Sequence, residues 1–178
     1  MKDPQTMTPS SLPRRDALCR LGLLAIPALL PVTAHAHGDS HGAATPAPDA
    51  RQTPWGIAAP AARARRTVEI RMLDSMRFVP DHLEVREGET LRLRIANRGK
   101  MLHELVLGTP QALQDHAELM RQHPGMEHDE PHMAHVAAGR RGELVWTFNR
   151  PGDFAFACLI PGHYEAGMRG TLRVTPQL

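Results

Sequence analysis

The chain has 178 residues, of which 42% are hydrophobic and only 4% aromatic, so it has room for one compact domain with extensions rather than for two. Twenty-one basic residues against 19 acidic ones give a net charge of only +2, which is too small a basic excess to indicate a nucleic-acid partner. These numbers predict a small protein that does not bind nucleic acid.

The N-terminal segment predicts a cleaved export signal over residues 1–36. Arg14 and Arg15 precede an apolar run over 21–32, and Ala-His-Ala at 34–36 is a small-x-small cleavage motif. The run is too short for a membrane span, which takes roughly 20 residues. We therefore expect cleavage near Ala36, a periplasmic location and no membrane span afterwards. The arginine pair leaves both the twin-arginine route and general export open.

Cleavage near Ala36 would leave 17 basic and 17 acidic residues and would remove Cys19. Cys158 would then be the single cysteine of the mature chain. A lone thiol in an oxidising compartment has to be buried, paired or bound to a metal, and it cannot form an internal disulfide. Residues 37–66 are rich in Ala, Pro, Gly and His without an apolar period, which predicts a flexible leader.

From residue 67 onward, alternating polar and apolar residues predict short β-strands. The predicted strands are 67–72, 83–85, 91–95, 104–107, 143–148, 154–159 and 171–175. Between them, 111–122 has helical composition and 123–135 is typical of an exposed loop. The sequence thus predicts an all-β domain over 67–178, an antiparallel sandwich or barrel, with a helical and loop insertion at about 110–141.

The most informative segment combines a thiolate, an imidazole and a thioether. Cys158, His163 and Met168 lie within eleven residues, on a Pro- and Gly-containing loop between two predicted strands. A second imidazole must come from elsewhere, and His103, at the start of an upstream strand, is the best candidate. Two His and one Cys with a weak axial Met form the trigonal site that suits copper as both Cu(I) and Cu(II). The pattern predicts one such copper site.

The spacing Cys158-x4-His163-x4-Met168, with Pro-Gly before the histidine, resembles the ligand loop of the cupredoxins. This is the type 1, or blue-copper, family that includes azurin, plastocyanin and pseudoazurin. Upstream, residues 85–89 followed by Asn97 resemble the strand and turn that precede the family's first histidine ligand. The similarity covers residues 67–174.

The resemblance implies a Greek-key β-sandwich with copper near one end. It assigns His103 and His163 as imidazole ligands, Cys158 as the thiolate and Met168 as the axial ligand. Glu104 departs from the pattern, because azurin and plastocyanin have an Asn there that braces the cysteine loop. Groups around the ligands tune ligand basicity and potential, so this difference bears on the properties of the copper.

Three other readings of the same residues remain open. Cys158 with either histidine could be a nucleophile and its base, but this leaves Met168 unexplained and offers no residue that orients the histidine. A structural zinc site would favour more thiolates at shorter paired spacings. Finally, Cys158 and Met168 could be core residues and His163 a turn residue.

A second group of copper-favouring side chains lies in the insertion. Histidine-rich tracts can bind metals, and methionine adds affinity for Cu(I). We therefore expect the insertion to bind additional copper weakly. The candidate residues are Met120, His123, Met126, His128, His132, Met133 and His135.

Two functions follow from these sites. The first is a one-electron carrier that docks a redox partner protein beside His163, where Met101, Ile160 and Pro161 could form an apolar patch. The alternative is a copper-handling protein that buffers or sequesters periplasmic copper, exchanging it with a copper donor or acceptor. The chain is too short for the extra copper ligands and domains of a copper enzyme, so we expect no enzymatic activity.

Overall fold

The computed structural model describes residues 51–124, 126 and 128–177, all of which belong to the compact unit Ala43–Leu178. The predicted signal peptide, 1–36, and the first part of the predicted leader, 37–50, lie outside the described residues. In the described part of the chain, no helix has both the length and the apolar character needed to cross a bilayer.

Ten strands, one α-helix and one 3-10 helix are found in this part of the chain. The strands are β1 Ile57–Ala58, β2 Arg66–Leu73, β3 Arg77–Val79, β4 His82–Arg86, β5 Glu89–Asn97, β6 His103–Gly108, β7 Met133–Val136, β8 Arg141–Phe148, β9 Gly152–Ala157 and β10 Arg169–Thr175. The 3-10 helix is Ala61–Arg63 and the α-helix, α1, is Pro110–Gln122.

The strands form two five-stranded sheets, with the orders β1-β8-β5-β2-β3 and β4-β10-β9-β6-β7. Sequence-adjacent strands are often placed in different sheets, as in the predicted Greek-key sandwich. The predicted all-β fold class is therefore confirmed. The expectation of purely antiparallel pairing is wrong, because β2 pairs with β5 and β10 with β4 in parallel. Strand alternation indicates which face is buried but does not encode strand direction.

Alternating burial along the strands produces the core between the sheets. In β10, Gly170, Leu172 and Val174 are buried while their neighbours are exposed, so one face of the strand packs inward. The rings of Phe78 and Phe156 meet edge to face across the core, with centroids 5.1 Å apart. Cys158 and Met168 belong to the same buried cluster, which places the predicted ligand loop against this core.

A second, smaller cluster lies under α1. Thr109 caps the helix, since its hydroxyl accepts the Ala112 N–H at 3.1 Å, and Pro110 occupies the first turn. Leu113 and Ala117 of α1 pack against side chains from β6, β7 and β9 and against Leu159. Val106 of β6 lies in this cluster, Leu105 and Leu107 lie in the core between the sheets, and β6 is buried over all six of its residues, including the predicted ligand His103.

Two segment boundaries predicted from the sequence differ from those in the structure. The predicted leader extends to residue 66, yet β1 pairs with β8 and Ala58 is buried in the core. The predicted exposed loop over 123–135 ends instead in β7, which extends the sheet beside β6. Strands of two and four residues are too short to show an alternating pattern, so their pairing partners rather than their own sequence define them.

Candidate metal centre

The loop that follows β9 folds back on itself and brings its polar side chains together. The Cys158 N–H donates to the Met168 carbonyl at 3.1 Å, and the Met168 N–H donates to the His163 carbonyl at 3.0 Å. Gly162 and Gly167 both have φ of +89°, a left-handed conformation that glycine adopts without steric cost. These bonds and turns hold the predicted ligands of the loop in a fixed arrangement.

Three of the four predicted copper ligands converge. His103, Cys158 and His163 each offer one ligand atom, and the three atoms lie within 4.8 Å of one another. The Cys158 Sγ is 3.3 Å from the His163 Nδ1, and the two imidazole rings have centroids 5.0 Å apart. Across residues 51–124, 126 and 128–177, this is the one group of three or more His, Cys, Asp or Glu side chains with metal-binding geometry.

Asp74, in the turn between β2 and β3, fixes the orientation of His103. Its carboxylate accepts the Lys100 N–H at 2.8 Å and lies 3.1 Å from the His103 Nε2. The Lys100 bond and, less strongly, His103 lower the pKa of Asp74, so its carboxylate is ionised and the Nε2–H of His103 donates to it. The sequence did not indicate a role for Asp74, because no residue near it in the sequence shows that it contacts His103.

The orientation of His103 tests whether the site fits a metal. With Nε2 bound to Asp74, the other ring nitrogen, Nδ1, carries a lone pair; it is buried and has no hydrogen-bond partner among the described residues. A buried ring nitrogen left without a partner is rare in proteins. Carboxylate, imidazole and metal commonly form such a chain, in which the carboxylate fixes the tautomer. The residues present therefore fit a bound metal at His103.

Burial also sets the protonation of the other two converging side chains, Cys158 and His163. It raises the pKa of the Cys158 thiol to about 12, so the metal-free side chain is a thiol at neutral pH. Burial, with His103 nearby, lowers the pKa of His163 and keeps its imidazole neutral. A neutral imidazole can ligate a metal directly, whereas a soft metal ion must displace the thiol proton.

Glu104 supports the cysteine loop from the neighbouring strand. Its side chain is buried; Oε1 accepts the Leu159 N–H at 2.7 Å, and Oε2 lies 2.7 Å from the His135 Nε2. Burial raises the pKa of Glu104, against the opposing effect of the Leu159 bond and His135. Glu104, which differs from the family pattern, therefore holds the backbone of Leu159, the residue that follows Cys158, through its carboxyl group.

Met168 is fully buried beside Cys158 in the core cluster, and its backbone joins Cys158 to His163. Its backbone contacts and burial are compatible with an axial position. The assignment of His103, Cys158, His163 and Met168 as the complete ligand set remains a prediction that rests on the resemblance.

The seven candidates of the second copper group do not form one cluster. Met133 is buried in the cluster beneath α1, Met120 of α1 is partly buried against that cluster, and His123 and Met126 are exposed. The remaining three have separate partners: His135 contacts Glu104 and Asp129, His132 packs edge-on against Trp55, and His128 contacts His116. His116, on α1, was not among the candidates; a histidine on a helical pattern gives no sign of which loop residue it meets.

Comparison with known proteins agrees with this centre. The family described as copper binding proteins of the plastocyanin/azurin type matches residues 65–175. A protein named copper-resistant cuproprotein CopI from Rubrivivax gelatinosus is 48% identical over 165 residues, covering 90% of this chain and 99% of that protein. The CopI of Pseudomonas aeruginosa is 36% identical, covering 83% and 97% of the two chains.

A solved structure of auracyanin B is similar with a TM-score of 0.54 and 28% identity, covering 64% of this chain and 91% of that chain. The family match spans more than half of the chain and includes all of the converging residues. The donor set of two imidazoles and a thiolate is the one that suits copper. The chain therefore belongs to the plastocyanin/azurin family of copper-binding proteins, with copper as its cofactor.

Proposed function

We propose that this protein contributes to copper resistance by binding copper outside the cytoplasm at the centre formed by His103, Cys158 and His163, with Met168 as axial ligand. The observation that carries the proposal is the 48% identity to a protein named for copper resistance, sustained over 99% of that protein's length. The convergence of the three ligand atoms in this chain supports it.

The chemistry of the centre supports copper handling under changing redox conditions. Thiolate and thioether ligands favour Cu(I), and imidazoles also accept Cu(II), so such a site retains the metal in either oxidation state. Burial of Cys158 and His103 shields the site from solvent. The copper ion, when bound, supplies one-electron redox chemistry; the protein residues hold it and orient its ligands.

A one-electron carrier is the second candidate, and the surface beside the centre favours it. Met101 and Leu102 directly precede His103 and are 42% and 50% exposed. Exposed apolar side chains next to a buried centre suit the transient docking of a redox partner protein. A copper donor or acceptor could use the same surface, so the two roles can coexist in one protein. Under either role we propose a periplasmic binding protein that is not an enzyme.

The test is growth of a deletion strain in copper, complemented with the wild-type gene, with Cys158→Ser or with His82→Ala. His82 is an exposed histidine outside the centre and provides a matched control. We expect wild type and His82→Ala to restore growth, and Cys158→Ser to leave the strain as sensitive as the deletion. Full resistance with Cys158→Ser would overturn the proposal. A growth defect without added copper would instead favour the electron carrier.

A further inference from the structure

A groove between α1 and the segment that leads into β7 brings together two histidines from distant parts of the sequence. The His116 Nε2 and the His128 Nε2 are 3.0 Å apart, and their rings are inclined by only 23° with centroids 4.9 Å apart. The groove has a volume of about 540 Å³ and is also lined by Trp55, Glu130 and His132. None of these residues belongs to the centre described above.

Two buried nitrogen atoms of this groove lack partners. The His128 Nδ1 and the Trp55 Nε1 are buried and have no hydrogen-bond partner within the described part of the chain. The third nitrogen of this kind is the His103 Nδ1 of the copper centre. Neither atom belongs to the facing Nε2 pair, so it is that pair, and not these two atoms, that points to a bound ion.

The protonation of the groove suits a cation. Burial, together with His128, lowers the pKa of His116, and burial lowers the pKa of His132. Both imidazoles are therefore neutral at neutral pH, so each ring has one nitrogen with a lone pair. The groove is lined by two acidic side chains, Asp115 and Glu130, and one basic side chain, Arg51, so its acidic groups outnumber its basic one.

We propose that this groove is a second copper site, in which His116 and His128 ligate one Cu(II) ion. With metal–nitrogen bonds of about 2.0–2.1 Å, two nitrogens 3.0 Å apart subtend an angle of about 95° at the ion. This is close to the right angle between neighbouring ligands in the tetragonal sites that Cu(II) prefers. No third His, Cys, Asp or Glu among the described residues joins this pair in metal-binding geometry, so water would complete the coordination.

The identity of the ion follows from the donor atoms. Imidazole binds several divalent metals, but the same nitrogen site binds Cu(II) more tightly than Ni(II) or Zn(II). The second site has no thiolate ligand, so its chemistry differs from that of the centre at Cys158. It can bind copper whether or not that centre is occupied. The inference therefore goes beyond the proposed function, because it adds an independent ion in a groove that shares no residue with the centre at Cys158.

Only some of the histidines and methionines of the insertion belong to the proposed site. His128 is a ligand and His132 a neighbour, whereas His135 is engaged with Glu104. His123 is exposed and outside the groove, so it provides a control of the same residue type in the same segment.

The experiment is a titration of the full chain with CuSO4, followed by optical absorption and electron paramagnetic resonance. The variants are His116→Gln, His128→Gln and, as control, His123→Gln. We expect wild type and His123→Gln to bind a copper equivalent that has no intense visible band and whose hyperfine pattern indicates nitrogen ligands. His116→Gln and His128→Gln should weaken that equivalent by roughly tenfold or more.

Far-UV circular dichroism and the visible band of the Cys158 centre check that the variants fold. His37 and His41 are present in all the proteins, so copper bound by them cancels in the comparison. Equal binding of the colourless equivalent by wild type, His116→Gln and His128→Gln would overturn the inference, as would its absence from wild type. If the visible band is missing while the histidine-dependent equivalent is present, the proposed function fails and the second site stands.

Discussion

Replacement of Glu104 by alanine should destabilise the metal-free protein through one backbone group. The Glu104 Oε1 accepts the Leu159 N–H at 2.7 Å, and Leu159 is only 1% exposed. Alanine would leave this N–H buried without an acceptor, which costs about 1–3 kcal/mol. The space left by the side chain adds about 1 kcal/mol.

Two further effects of the alanine variant are smaller. Loss of the contact to His135 costs about 0–1 kcal/mol, because that side chain is one third exposed and water can solvate it. Burying the carboxylate costs free energy, and alanine removes this cost, which offsets part of the loss of stability. We therefore expect a decrease of about 2–3 kcal/mol in the free energy of unfolding, or about 10 °C in Tm.

The matched control is Glu104→Gln, which retains a carbonyl oxygen for the Leu159 N–H and fills the same volume. We expect it to lie within about 1 kcal/mol of wild type. Urea denaturation of the metal-free proteins, followed by circular dichroism, measures both variants. The reasoning is refuted if Glu104→Ala is as stable as wild type, or if Glu104→Gln loses as much stability as Glu104→Ala.

Three more predictions concern the centre and the core. Asp74→Ala removes the acceptor that orients His103 and should weaken copper binding roughly 10–100-fold, as measured by chelator competition. Because burial raises the Cys158 pKa to about 12, iodoacetamide at pH 8 should alkylate the folded metal-free protein far more slowly than the urea-unfolded protein. Gly170→Ala would place a Cβ against the Phe156 ring and the Asp81 carbonyl, and should cost about 1–3 kcal/mol in urea denaturation.

Each of these has an outcome that would contradict it. Unchanged copper affinity in Asp74→Ala would mean that the carboxylate does not hold the imidazole. Rapid alkylation of the folded metal-free protein would mean that Cys158 is accessible. For Gly170, the comparison is Gly142→Ala, whose Cβ meets one Val136 methyl group at 2.9 Å and no backbone atom within 4 Å, and should cost less. Equal stability of the two alanine variants would show that the Phe156 ring moves away freely.

The parts of the structure that sequence could predict are those encoded locally. Cys158, His163 and Met168 lie on one short loop whose spacing is specific, and copper as the cofactor followed from them. The strands β2, β5 and β10 were recognisable because their more and less buried residues alternate, over all seven residues of β10 and over shorter stretches of β2 and β5.

What the sequence could not predict depends on distant partners. Asp74 contacts His103 across 29 positions, and His116 contacts His128 across 12. The pairing of β7 with β6 places His135 against Glu104, and neither residue indicates this by itself. A helix or strand pattern reports which face of an element is buried, but not which side chain lies opposite it.

The most direct measurement is a copper titration of the purified protein followed by optical absorption, with wild type and Cys158→Ser compared. A thiolate bound to Cu(II) absorbs intensely in the visible range, so we predict a strong band that is complete at one equivalent in wild type. The band should be absent in Cys158→Ser. Copper binding by wild type that produces no intense visible band at any copper ratio, or an unchanged band in Cys158→Ser, would contradict the assignment of the copper centre to Cys158 and its two histidines.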